Sequence, residues 1–153
     1  MSQINNDSEF KQVLAGLDYA EQRTIAAVFV EHVLDLSNDE RLARAIKVAA
    51  DQPVSADELS AALKSAKSAA LDSHTRCGSE GNWSEQAGYF VARAAIAALT
   101  PQTQCKAGGP AWQAAMSCRM AKTSTLIDDE SNELSSHDES EWQRQTLADH
   151  LNA

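Results

Sequence analysis

Repeatedly in this sequence a residue able to cap a helix is followed, three positions later, by glutamate, and four of these sites open long helical stretches. The four sites are Asp18-Tyr19-Ala20-Glu21, Ser55-Ala56-Asp57-Glu58, Asn82-Trp83-Ser84-Glu85 and Ser136-His137-Asp138-Glu139. At such a site the first side chain accepts from a free backbone N–H, and the glutamate reaches back. Each signal opens a stretch without proline. Together they predict helices over 18–36, 55–76, 82–99 (stopped by Thr100-Pro101) and 136–151. Asn38 or Asp39 caps another helix running to 50. Gly108-Gly109-Pro110 breaks the chain and sets proline at the first position of a helix to 122. A short helix fits 8–15.

Alanine supports the same reading. It supplies 27 of the 153 residues, while glycine (6) and proline (3) are scarce. Strand-rich folds need β-branched and aromatic residues and many turns, and no period-two alternation occurs. The helical period is clear. Leu42, Ile46 and Ala49 share one stripe, with Arg41, Arg44 and Lys47 on another. Leu59, Ala62, Leu63, Ala66, Ala69 and Ala70 form one face, with Lys64 and Lys67 away from it. The segment 25–36 is apolar almost all round, which predicts a central helix. The fold class is all-α: a compact bundle of six or seven helices with an acidic C-terminal helix. Residues 1–123 form the alanine-rich bundle. Residues 124–153 are an acidic linker and last helix, in the same domain or as a mobile tail. That helix has few apolar anchors, because Trp142 lies about 140° round the axis from Leu147.

The chain has no apolar run of membrane-spanning length, and its polar start is unlike a signal peptide. Three cysteines, Cys77, Cys105 and Cys118, do not form a secreted-scaffold pattern. The expectation is a cytoplasmic protein with no membrane partner.

The net charge of −9 is unevenly spread. Residues 1–40 hold eight acids against two bases, and residues 128–153 hold eight acids against Arg144 alone. The stretch between them is mildly basic. Such acidic ends repel nucleic acid and attract basic protein surfaces. A blander account is that they only keep an alanine-rich helical subunit soluble. The basic stripe of Arg41, Arg44 and Lys47 with Lys64 and Lys67 reads as solvated helix faces, or as a dock for the chain's own acidic tail. The global field opposes direct nucleic-acid binding. Trp83, Trp112 and Trp142 are scattered, so no base-stacking platform is visible.

Catalytic signatures are absent. Glu31-His32 lacks the second histidine of a zincin helix, and Gly108-Gly109 is followed by no phosphate-loop Lys-Ser/Thr. His74, Cys77, Cys105 and Cys118 are the strongest zinc quartet, but the two distal cysteines form no Cys-x-x-Cys pair. Cys118 and His32 could meet in space as a nucleophile and base. His32, alone on an apolar helix, reads more simply as a satisfied structural residue. The site read from the sequence therefore has no catalytic residue, metal or cofactor. A zinc or cysteine-dependent enzyme is the alternative from another class.

From about 28 to 122 the chain resembles the Imm-5-like family of bacterial immunity proteins. The matching text is Glu31-His32-Val33-Leu34, then Asn38-Asp39-Glu40-Arg41-Leu42-Ala43-Arg44-Ala45-Ile46. The alanine-rich helix 55–72, the stretch 92–99 and Ala111-Trp112-Gln113-Ala114-Ala115 follow. The resemblance implies an all-α protein in inter-microbial or phage–host conflict and supplies no catalytic residues. In size, acidity and lack of chemistry the chain is also similar to phage-encoded anti-CRISPR inhibitors. The sequence thus points to a non-enzymatic inhibitor binding a basic, nucleic-acid-handling protein, a multi-subunit CRISPR effector first and a bacterial toxin second. The contact acids would be Glu31, Asp35, Asp39, Glu40, Asp128, Asp129, Glu130, Glu133, Asp138, Glu139 and Glu141.

Overall fold

The computed structural model describes residues 4–50, 55–80, 83–101, 104, 109–124 and 132–152; the side chains of 76–80, 83–85 and 132–137 lie outside that description. Seven helices and no strand occur among the described residues, so the chain is an all-α bundle. The helices are α1 (Asp7–Gly16), α2 (Tyr19–Glu31), α3 (Glu40–Ala50), α4 (Ala56–Glu80), α5 (Trp83–Leu99), α6 (Gly109–Ser124) and α7 (Asn132–Leu151).

Three caps act where the sequence places them. Asp18 accepts from the Glu21 N–H at 2.8 Å, and Ser55 accepts from the Glu58 N–H at 3.0 Å. Asp39 accepts from the Arg41 N–H at 3.0 Å. Asn82 lies outside the described residues. Gly109 has φ +84°, a left-handed conformation that glycine tolerates best, and Pro110 then enters α6.

Three boundaries differ from the sequence reading. α4, expected to end at 76, runs on to Glu80. The stretch expected as one helix to 36 ends at Glu31, and Leu34–Leu36 forms a separate 3₁₀ turn. Val33 leaves helical geometry at φ −115°, ψ 7°, and Leu36 N–H then closes the tighter bond to the Val33 carbonyl. The last helix begins at Asn132, four residues before the expected cap at Ser136. Glu139 does not reach back to that cap, because its carboxylate is turned inward.

α2 was expected at the centre, and it shares that place with α5. α2 packs on α3, α5 and α6, while α5 packs on α2, α3, α4 and α6. Alanine makes this neighbourhood possible. Ala92, Ala94, Ala95 and Ala98 of α5, and Ala111, Ala114, Ala115 and Ala121 of α6, have no exposed surface. Side chains this small let helix backbones approach closely. Most of the larger core side chains, Phe10, Leu14, Ile25, Phe29, Leu42 and Ile46, come from α1, α2 and α3, with Leu99 from α5 and Leu147 from α7. Arg23 is buried and donates from Nε to the Ala49 carbonyl at 3.0 Å, satisfying the C-terminal end of α3. No helix among the described residues is long and apolar enough to cross a membrane.

Candidate functional site

α7 carries little apolar surface, so its docking depends on polar groups finding partners. Its buried stripe is Glu139, Gln143 and Leu147, spaced at i, i+4 and i+8. Gln143 donates from Nε2 to the Ala115 carbonyl at 3.0 Å and accepts from Arg119 Nε at 2.8 Å. Arg119 also grips Asp7 with both terminal nitrogens, at 2.9 and 3.0 Å, and Arg144 reaches Asp7 at 3.2 Å. The hydrogen bonds from Arg119, then its charge and that of Arg144, hold the Asp7 carboxyl below the usual aspartate range despite partial burial. One carboxylate thus ties α1, α6 and α7 together.

At the other side of α7, Nδ1 of His32 lies 2.6 and 3.0 Å from the two oxygens of Glu139. The Glu139 carboxylate is fully buried, whereas His32 keeps about a third of its side chain exposed (36%). The His32 ring stacks on Trp142 at 3.6 Å and 10°, and Trp142 meets Phe29 edge-on at 6.3 Å. Phe29 continues to Phe10 at 5.9 Å, and Phe10 to Trp112 at 6.1 Å. Trp112 and Trp142, far apart in sequence, are therefore joined through Phe10 and Phe29 against the core, both half-buried; the Trp83 side chain lies outside the described residues. His150 approaches Glu21 at 3.9 Å. With His32 on Glu139 and Glu21 on His150, α7 runs antiparallel beside α2.

This docking decides which acids face outward. Along α7, Asp138, Glu141, Gln145 and Asp149 recur on the face opposite the buried stripe, and all four are exposed. Asp138 and Asp149 stand about 16 Å apart at 1.5 Å per residue. Asp149 accepts from Gln145 at 2.8 Å. Beside this face, Asn5, Asp138, Glu141, Trp142, Gln145 and Asp149 help to line an open groove of about 940 Å³. Glu31 immediately precedes His32, and Asp35 sits in the 3₁₀ turn just beyond; both are exposed. The His32–Glu139 contact therefore brings the acidic N-terminal region and the acidic C-terminal region together.

Two of the expected contact acids are engaged internally. Glu139 is 2% exposed and is the partner of His32, so it presents no charge to another molecule. Asp39 caps α3 and pairs with Arg41 at 2.6 Å. Glu40 is exposed in the first turn of α3. Asp128, Asp129 and Glu130 lie outside the described residues, as does the side chain of Glu133. Asp149 belongs to the exposed stripe and was not among the expected contacts. The spacing 138, 141, 145, 149 was the signal that marked it.

The basic stripe is partly neutralised. Arg41 bridges Asp39 and Asp72 (2.8 Å), and these hydrogen bonds raise its already high pKa further. The tail helix does not dock there: among the described residues α7 packs chiefly on α6.

Cysteine chemistry finds a sealed thiol. Cys118 is buried, and its S–H points to the Phe29 carbonyl at 3.4 Å. Burial, then the nearby Glu139 charge, pushes its pKa well up, with Lys122 opposing weakly. His32 faces Glu139 and the Cys118 S–H faces the Phe29 carbonyl, so each is engaged elsewhere than in a Cys118–His32 pair. His74 lies beside the Tyr89 ring at 5.3 Å. No cluster of three or more His, Cys, Asp or Glu side chains among the described residues could hold a metal. Cys105 and the Cys77 side chain lie outside that description.

Compared with known proteins, the chain matches no family model, no curated protein and no solved structure.

Proposed function

We propose that this chain is a non-enzymatic inhibitor that binds a basic, nucleic-acid-handling protein through the acidic face of α7 and the adjoining end of α2. One observation carries the reading. α7 turns Asp138, Glu141 and Asp149 outward in a line while hiding Glu139, Gln143 and Leu147, and the exposed Glu31 and Asp35 flank His32, the partner of Glu139. The acids sit on a helix fastened by His32, Gln143 and Arg119, so their spacing is set before any partner arrives. A preorganised charged face loses little side-chain and backbone freedom on binding. Duplex DNA carries about one charge per 1.7 Å of axis. Three acids over about 16 Å are sparser, so the face would replace only part of a phosphate backbone in a lysine- and arginine-lined channel.

Two settings share this chemistry. The first is an anti-CRISPR protein acting on a multi-subunit effector; the second is an immunity protein neutralising a toxin, as the Imm-5-like resemblance implies. Target-DNA binding by a purified multi-subunit CRISPR effector, with and without this chain, tests the first. Displacement of DNA by the wild type, and at least a tenfold loss of potency in the triple variant Asp138→Asn, Glu141→Gln, Asp149→Asn, supports it. Equal potency of the triple variant overturns the assigned face. No displacement at any concentration overturns the CRISPR setting.

A further inference from the structure

Away from the acidic face, α5 and α6 enclose a half-open pocket of about 150 Å³. Its origin lies in the sequence. Alanines close the inner side of the α5–α6 contact, but along its outer margin Arg93, Ile96, Ala97 and Thr100 recur at helical spacing on α5. Pro110, Gln113 and Ser117 answer from α6, and Gln104 from the connection between the helices. Ala97 and Ser117 are too small to fill the space between the helices. Ile96, Ala97 and Pro110 supply an apolar lining, and the Thr100 hydroxyl is already bonded to the Ile96 carbonyl at 2.6 Å.

Arg93 gives the pocket its chemistry. Its guanidinium sits 5.9 Å from the centre of the Tyr89 ring, a contact that orients it. Tyr89 is itself held by Phe90 at 5.5 Å and His74 at 5.3 Å. Among the described residues Arg93 makes no ion pair, in contrast to Arg41, Arg119 and Arg144. An oriented guanidinium beside an apolar recess matches a carboxylate attached to a short hydrocarbon body. A space of about 150 Å³ is large enough for a benzene-sized molecule.

We propose that this pocket binds a small organic carboxylate, its charged end on Arg93 and its apolar end on Ile96, Ala97 and Pro110. The proposal does not depend on the function assigned to the acidic face. The probe is benzoate, titrated into the full chain and followed by amide NMR shifts, with benzyl alcohol as a neutral molecule of similar shape. Saturable shifts around Arg93, Ile96 and Pro110, with benzoate binding at least tenfold tighter than benzyl alcohol, are expected. Arg93→Gln should abolish that preference, and Ala97→Leu should block both molecules. Arg93 is exposed, so its variant should keep the fold and decides the matter even where Ala97→Leu does not fold. Non-saturating shifts, shifts centred elsewhere, or an undiminished preference for benzoate in Arg93→Gln would overturn the proposal.

Discussion

α5 and α7 both lean on α6, and they do so by opposite means. α5 and α6 bury mostly alanine, with no directional bond required. α7 is fastened by a glutamate–histidine contact, a glutamine bonded on both ends of its amide, and an aromatic stack. Close alanine packing is tolerant of polar detail and intolerant of volume. A polar dock is the reverse: each buried group must find its partner, since an unmade buried bond costs about 1–3 kcal/mol. The first kind of contact builds the bundle. The second fixes how one acidic helix is displayed.

That contrast can be broken from either side. The largest effect should come from Leu147→Ala, which removes the main apolar anchor of α7. A loss of about 2–5 kcal/mol in the docking of α7 is expected. Amide exchange should accelerate in α7 while α2–α6 stay protected; uniform acceleration across all helices would show that α7 is no separate unit. Ala95→Leu attacks the alanine contact by overfilling it and should cost about 1–3 kcal/mol. Here all helices should weaken together, seen as one lower thermal transition. Gln143→Ala should cost about 1–3 kcal/mol, because the Ala115 carbonyl and Arg119 lose their partner. It should also raise the rate at which an alkylating reagent labels Cys118, followed by peptide mass. In the wild type that thiol should stay unlabelled, since burial disfavours its thiolate.

The smallest effect is a pH dependence at Asp7. Its carboxyl titrates below the usual aspartate value of 3.8 because Arg119 and Arg144 face it. The unfolded chain therefore takes up the proton first as pH falls. The stabilisation is fully present above that usual value and disappears as pH drops through the lowered one. Asp7 is half exposed, so the contribution is at most about 1 kcal/mol. Urea unfolding of wild type and Asp7→Asn should differ at pH 6 and converge near pH 2. A constant difference would assign the effect to lost hydrogen bonds rather than charge.

The bundle was legible because its signals are local. Asp18 and Ser55 cap the helices they precede, and the stripe of Leu42, Ile46 and Ala49 is buried as its period requires. The display of α7 was not legible, because its buried face reads as polar. Glu139 looks like one more surface acid, and only the placement of His32, 107 positions earlier, makes it an inward group. Asp39 misled for a similar reason: its partner Arg41 is near in sequence, but the closing contact to Asp72 comes from another helix. A solitary histidine on an apolar helix did point to a structural partner, without saying which residue it would be.

On the proposed reading, a fixed line of outward carboxylates recognises a basic partner. The most direct measurement is the association rate with the purified CRISPR effector between 50 and 300 mM salt, for wild type and for the Asp138→Asn, Glu141→Gln, Asp149→Asn variant. The wild-type rate should fall at least tenfold over that range, and the variant should be slow throughout and nearly indifferent to salt. A wild-type rate unchanged by salt, or a variant as fast as the wild type, would contradict that reading.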